Sequence, residues 1–188
     1  AQGRIDLKNG AIIEHARNAI TTIVTDTFDN WVWTGTGGII QADSTTFRNN
    51  WRDIQMLSYH NKFPSGGATN NVSRFINCQF ITDTLLVDTA LKPIAHVTLF
   101  DVDGINFYGC KFLYQAGNNF QLYQRRTGIK SIDARYRVTC RRNVSTGECL
   151  SNGESTFDGL YYGIEAQNSI NTQAVTINNS IFNNTQFG

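Results

Sequence analysis

The chain has 188 residues, which is long enough for one domain with a substantial hydrophobic core. Only 16% of its residues are charged and the formal net charge is +1, which argues against nucleic acid as the partner and against a disordered charged tail. No apolar run approaches the roughly 18 residues needed to span a bilayer, and charged residues interrupt the N-terminal segment where a signal peptide would be apolar. We therefore expect no membrane insertion by this segment.

In chain order, the elements suggested by the sequence are short strands separated by turn residues. The chain is rich in Ile, Thr and Phe, which favour strands, and in Asn and Gly, which tolerate left-handed backbone at tight turns. No stretch shows a long helical apolar period with caps at both ends. The sequence therefore predicts a nearly all-β chain.

One short phrase recurs along the whole chain. It consists of a turn-forming residue, a small residue, one spacer and a large apolar residue, as in Ser44-Thr45-x-Phe47 and Asn77-Cys78-x-Phe80. Successive copies are 25 to 45 residues apart, a spacing typical of repeat architectures. The large apolar anchors, which we expect to be buried and stacked, are Ile13, Phe47, Phe80, Phe112, Phe157 and Phe182. A second apolar residue often follows the anchor by seven positions, namely Ile20, Ile54, Val87 and Ile164.

The region before the fourth anchor indicates how one coil is built. Three short alternating runs, Phe100–Val102, Ile105–Phe107 and Cys110–Phe112, are separated by Asp103-Gly104 and Tyr108-Gly109. Such runs are typical of strands with one buried face. Stacking one coil on the next would place equivalent strands parallel and about 4.8 Å apart, so that like side chains form ladders.

Three phrases carry a resemblance to known proteins: Ser44-Thr45-Thr46-Phe47-Arg48-Asn49-Asn50, Asn77-Cys78-Gln79-Phe80 and Gly128-Ile129-Lys130-Ser131-Ile132-Asp133-Ala134. This organisation resembles the right-handed parallel β-helix of the pectin-lyase-like superfamily. More narrowly, it is similar to secreted bacterial surface β-helix proteins exported with a C-terminal sorting domain. The resemblance implies an all-β fold, a right-handed parallel β-helix (solenoid) of about five to six coils with inserted loops. Such a resemblance specifies the fold well and the function poorly.

On this interpretation residues 1–188 form a single parallel β-helix segment of a longer solenoid. The repeat requires another apolar residue just beyond Gly188, and the sequence contains no recognisable capping helix or polar terminal repeat. Solenoids need such caps for solubility. We therefore expect the rest of its own longer chain to be one partner of this segment.

The most suggestive carboxylates lie in Asp101-Val102-Asp103-Gly104. If the intervening valine points inward, Asp101 and Asp103 share the outer face and offer oxygen ligands to Ca²⁺, with Asp133 on the next coil as a third ligand. Polysaccharide lyases of the resembled fold hold Ca²⁺ with carboxylates and use an Arg or Lys as base. The simpler interpretation, which we favour, places Asp103 in a turn and leaves Asp101 solvated, so that no cofactor is required.

Two groups of residues are candidates for ligand binding. The Trp31-Val32-Trp33 alternation would place both indoles on one side of a strand, where they would form a sugar-stacking platform or pack under an inserted loop. Arg125, Arg126 and Arg135 belong to a basic stretch across the longest insertion. That stretch would contact an acidic polysaccharide or another surface protein, or it would be a solvated face balanced by nearby acids, which we favour.

The four cysteines fall into two pairs. Cys140 and Cys149 flank a short polar loop, which predicts a disulfide across its base and hence an oxidising, extracytoplasmic compartment. Cys78 and Cys110 occupy equivalent places in consecutive repeats. We expect this second pair to point inward, to stack and to remain free thiols.

The sequence contains no convergent catalytic set, so we assign no catalytic residue. His60 and His96 have neither a nucleophile nor a carboxylate at a diagnostic spacing. We therefore favour a non-catalytic segment of a secreted or cell-surface protein that acts as adhesin, stalk or binding scaffold for a glycan or protein. The alternative is a carbohydrate-active enzyme, a polysaccharide lyase or glycoside hydrolase, with a groove along one sheet.

Overall fold

The computed structural model describes residues 3–22, 38–57, 61–62, 68–69, 72–86, 94–117, 121–169 and 174–187. Apart from one 3₁₀ turn at Leu122–Gln124, the regular structure in these ranges is β. The strands in chain order are β1 (Arg4–Leu7), β2 (Ile12–Glu14), β3 (Asn18–Thr21), β4 (Ile39–Asp43), β5 (Thr46–Arg48), β6 (Arg52–Met56), β7 (Asn61–Lys62), β8 (Ala68–Thr69), β9 (Arg74–Ile76), β10 (Gln79–Thr82), β11 (Ala95–Phe100), β12 (Asp103–Tyr108), β13 (Lys111–Tyr114), β14 (Thr127–Ile132), β15 (Arg135–Thr139), β16 (Ser155–Asp158), β17 (Tyr162–Gln167), β18 (Val175–Ile177) and β19 (Ser180–Asn183).

Three parallel sheets run along the molecule. Sheet 1 has the order β1-β4-β9-β12-β15-β18, sheet 2 has β2-β5-β10-β13-β16-β19, and sheet 3 has β3-β6-β11-β14-β17. The chain visits the three sheets in turn, so neighbouring strands of one sheet are one turn of a solenoid apart. Strands β7 and β8 form a separate antiparallel pair.

The predicted all-β parallel solenoid is therefore confirmed. Counted along sheet 3, the chain makes about four full turns, slightly fewer than the five to six coils expected from the sequence. The handedness of the coil and the place of this segment within a longer chain stay predictions. No helix among the described residues is long and apolar enough to cross a membrane.

Left-handed backbone residues make the corners between sheets 1 and 2. The turn position of the recurring phrase has positive φ at Gly10, Ser44, Asn77, Gly109 and Asn179, between 49° and 76°. Gly and Asn adopt this conformation at low cost, which explains why the phrase begins with them. The corner then turns the small residue inward, and Thr, Cys and Ser are buried there.

The predicted anchors form one continuous stack in sheet 2. The rings of Phe47, Phe80, Phe112, Phe157 and Phe182 are parallel within 6°, with centroids 4.6–5.0 Å apart. The first four are fully buried. The expectation that all six anchors are buried is wrong for the terminal ones, since Ile13 and Phe182 are only partly buried. Each of these two has a ladder neighbour on one side only.

One of the apolar residues predicted to follow an anchor by seven positions was assigned wrongly. Ile54 pairs in register with Ile20 on one side and with Val97 on the other. Val97, not Val87, therefore occupies the ladder in the third coil, and Val87 lies outside the described residues. The seven-residue spacing fails here because additional residues separate β10 from β11.

Both cysteine predictions are confirmed. Cys140 and Cys149 form a disulfide with their Cα atoms 5.7 Å apart. Cys78 and Cys110 are free and buried. Their Sγ atoms point to the backbone carbonyls of the preceding coil, at Ala42 and Phe75 respectively.

Candidate functional site

A column of polar side chains runs across the outer face of sheet 1. The residues that follow one another in register are Gln41, Arg74, Asn106, Arg137 and Thr176. Because strand neighbours in a sheet are about 4.8 Å apart, the backbones of Arg74 and Arg137 are roughly 10 Å apart across Asn106. Both arginine side chains are exposed.

A β-bulge opens a hollow between these two arginines. Asp103 pairs with Arg135, but the next paired residues are Ile105 and Tyr136, so Gly104 is an extra residue in β12. Its φ of 90° is one that a residue with a Cβ rarely adopts. Bulges of this kind disrupt the ladder locally and bend the strand. The hollow has a volume of about 290 Å³.

Hydrogen bonds fix the rim of the hollow. The Asn106 amide donates to the Gly104 carbonyl at 2.8 Å, and the Gln41 amide donates to the Val72 carbonyl at 2.6 Å. The floor includes Tyr136, whose hydroxyl lies 3.2 Å from that of Ser131. Burial raises the pKa of Tyr136 to about 12, with the Ser131 hydrogen bond opposing, so this residue is neutral at ordinary pH.

The electrostatic character of the hollow is positive. Neither Arg74 nor Arg137 has an ion pair with another described residue. Their outer neighbours in the column, Gln41 and Thr176, carry no charge. Two guanidinium groups on rigid strands can bind an oxyanion through charge-assisted, bidentate hydrogen bonds.

The predicted basic stretch does not form one surface. Arg125 donates to the Gly159 carbonyl at 3.3 Å and its guanidinium lies 5.1 Å from the Tyr114 ring centroid. Arg135 pairs with Asp103 at 3.4 Å. Arg126 is fully buried, so the expectation that it contacts an external ligand does not fit its position. Trp31 and Trp33 lie outside the described residues, and the proposed stacking platform stays a prediction.

The predicted calcium ligands have protein partners. Asp133 accepts hydrogen bonds from the backbone and hydroxyl of Ser169, which lower its pKa. Asp103 pairs with Arg135. Asp101 and Asp133 both have left-handed backbone at equivalent corners of neighbouring coils. Within the described ranges, no three His, Cys, Asp or Glu side chains are grouped so that they could hold a metal ion. Calcium binding, which the favoured interpretation does not require, stays untested.

A cluster of ionisable side chains lies inside the solenoid. Asp53 of β6, His96 of β11 and Arg126 just before β14 are fully buried and come from three successive coils. His96 Nδ1 lies 2.5 Å from Asp53 Oδ2, and Arg126 Nη1 lies 3.7 Å from the same oxygen. Asn50 donates to the other carboxylate oxygen at 2.8 Å.

Arg126 closes this cluster by donating to groups on two coils. Nη1 donates to the Thr82 hydroxyl at 3.0 Å, and Nη2 donates to the carbonyls of Asn50 and Trp51. Burial, reinforced by the charge of Arg126 and opposed by Asp53, lowers the pKa of His96 to about 4. His96 is thus neutral, and because a carboxylate only accepts, its Nδ1–H donates to Asp53.

The buried cluster is not an accessible acid–base site. The His96 side chain is fully buried and its ring packs against Phe80 and Phe112. Among the described residues, the His96 imidazole has no exposed surface to present to an external substrate. The arrangement is a structural clamp between coils.

Comparison with known proteins assigns no family. No protein-family model, no curated protein and no solved structure matches this chain. The hollow on sheet 1 is therefore the candidate site on the strength of its own geometry.

Proposed function

We propose that this chain is a non-catalytic segment of a secreted or cell-surface protein, serving as adhesin, stalk or binding scaffold. The observation that carries this proposal is the hollow between Arg74 and Arg137. It presents the guanidinium groups of Arg74 and Arg137, which have no ion pair with another described residue, on strands of one sheet. Sites built on strands hold their side chains more firmly than sites on loops. The ligand would be a polysaccharide or another surface protein.

The extracellular location is supported by the disulfide. Disulfides persist in oxidising compartments and are rare in the cytosol. The Cys140–Cys149 bridge closes a loop that is exposed over most of its length. We also propose that the chain is related to pectin-lyase-like proteins and to surface proteins exported with a C-terminal sorting domain.

The bonding of the acidic groups supports binding over catalysis. Besides Asp103 and Asp133, Asp83 is held by Arg48 and Asn49, and Glu165 by Lys130. A general acid or base must reach the substrate proton. The alternative is a carbohydrate-active enzyme, a lyase or glycoside hydrolase, and the position of the hollow on the outer face of a sheet favours it as the second candidate.

A combined binding and turnover assay separates the two functions. The protein would be titrated against a panel of neutral and acidic polysaccharides, with calorimetry for binding and with assays for new reducing and unsaturated sugar ends. We expect saturable binding to at least one polysaccharide and no product over many hours. The heat-unfolded protein is the control for non-specific adsorption. Catalytic release of sugar ends would overturn the non-catalytic assignment.

A further inference from the structure

We propose that the hollow on sheet 1 binds a small oxyanion, a carboxylate, sulfate or phosphate, carried on a polar body about the size of one sugar ring. Arg74 and Arg137 bind the anion from two strands of sheet 1, and Asn106 lies on the strand between them. This inference rests on the proposed function, because it names the ligand class for the same hollow. It goes further by assigning the residues that select the ligand.

Charge is the first argument for an anion. Two exposed guanidinium groups two strands apart place two positive charges beside the hollow, which favours an anion as its ligand. The column neighbours Gln41, Asn106 and Thr176 supply no negative charge. The nearby carboxylate of Asp103 is already paired with Arg135 at 3.4 Å. The two arginines therefore lack a counter-charge among the described residues.

The size and polarity of the hollow indicate which kind of molecule bears the anionic group. A volume of about 290 Å³ has room for one small ring. Most lining groups are polar; of the two apolar side chains, Ile105 is buried in the core and Val72 is half exposed. A lipid tail or an aromatic anchor of a partner protein would need an apolar pocket. A hydroxylated ring would instead find the amide of Asn106 and the hydroxyl of Thr176.

The register of the solenoid supplies conservative variants for a test. Gln41 occupies the position of Arg74 one coil earlier, so Arg74→Gln places a residue that this column already contains. Arg137→Gln is the corresponding change on β15. Lys111→Gln is the matched control, because Lys111 is an exposed cation on sheet 2 and its neighbour in the preceding coil is Gln79. All three variants should keep the melting temperature of the parent protein.

The binding experiment uses four sugars that share one ring. Glucose 6-phosphate, glucose 6-sulfate, glucuronate and neutral glucose would be titrated by calorimetry at low salt. We expect at least one anionic sugar to bind, glucose to bind undetectably, and Arg74→Gln and Arg137→Gln each to weaken binding by about tenfold or more. Lys111→Gln should change the affinity by less than about twofold. The order among the three anions identifies the preferred group.

Other outcomes contradict the proposal. If none of the anionic sugars binds at millimolar concentration, or if both arginine variants bind like the parent protein, the inference is wrong. If the acidic peptide poly-glutamate binds through these arginines while the sugars do not, the ligand is the acidic surface of a protein. The proposed binding function itself fails only in the polysaccharide assay, so the two failures are distinguishable.

Discussion

The phenylalanine stack of sheet 2 and the Asp53–His96–Arg126 cluster lie side by side in the same interior, with the His96 ring about 6.2 Å from the nearest ring of the stack. The stack repeats phenylalanine at one position in five successive coils, with Ile13 at that position in the first coil. The cluster uses three different residues, each from a different coil. Asn50 and His96 bond to Asp53, whose carboxylate also faces Arg126.

The difference concerns how each region fixes the alignment of coils. Identical phenylalanine rings stack equally well on one another in any coil, so each added ring stabilises the fold through buried apolar area and packing. The cluster has one arrangement in which Arg126 faces Asp53. A shift of the register by one residue would turn Arg126 to the opposite face and leave Asp53 buried without the charge that faces it, which costs several kcal/mol. The two regions should therefore respond differently to mutation and to pH.

The largest expected effect is a break in the middle of the stack. Phe112 is fully buried between Phe80 and Phe157. We expect Phe112→Ala to lower the free energy of unfolding by about 3–5 kcal/mol, because it leaves a cavity and removes two ring contacts. Urea denaturation followed by circular dichroism measures this change.

The terminal ring of the stack provides the matched comparison. Phe182 stacks on Phe157 at 4.7 Å but is only partly buried. Phe182→Ala should cost less than half of what Phe112→Ala costs. Equal losses at the two positions would show that the stack does not act through burial.

The next effect concerns the charge pairing of the cluster. Asp53→Ala leaves Arg126 buried without the carboxylate that faces it and leaves hydrogen-bond donors of Asn50 and His96 unpaired. We expect a loss of about 3 kcal/mol in the free energy of unfolding. The double variant with Arg126→Met should lose less than the sum of the two single variants, because it removes both charges.

An exposed pair of the same type is the control. Asp103 and Arg135 lie 3.4 Å apart with 35% and 46% of their side chains exposed. Asp103→Ala should cost less than about 1 kcal/mol, since water solvates the remaining arginine. If Asp53→Ala and Asp103→Ala are equally mild, the buried cluster does not clamp the coils.

The same contrast explains what could be predicted from the sequence. The stack was predictable because Phe47, Phe80, Phe112 and Phe157 recur with one phrase, and a repeated phrase requires no knowledge of long-range pairing. The disulfide was predictable from the short polar loop between its cysteines. The ends of the stack were not predicted correctly, because burial depends on neighbours that the phrase does not encode.

The cluster and the hollow were missed for a different reason. The seven-residue spacing points to Val87 and not to Val97, so the sequence does not reveal that Asp53 and His96 lie side by side on neighbouring strands of sheet 3. At this position the other coils have Ala19, Gly128 and Gly163. Arg74 and Arg137 come to lie on the same face only through the pairing of β9, β12 and β15. The hollow between them depends on a single bulge. Such one-off features carry no repeated signal.

The smallest expected effect is a pH dependence confined to the cluster. The pKa of His96 is lowered from 6.5 to about 4, first by burial and then by the charge of Arg126. Between these two values the unfolded chain binds a proton at this residue and the folded chain does not. Stability is therefore fully present above pH 6.5 and falls as the pH decreases toward 4. The loss contributed by His96 should reach about 2–3 kcal/mol.

Urea unfolding curves at half-unit steps between pH 7 and pH 4 would measure this loss. The stacked phenylalanines do not titrate, so His96→Gln should flatten the pH dependence over this window even where it lowers stability at neutral pH. Asp83, whose carboxylate is held by Asn49 and Arg48, has a lowered pKa and contributes only below its usual value of 3.8. A slope between pH 6.5 and 4 that persists in His96→Gln would place the responsible group outside the cluster.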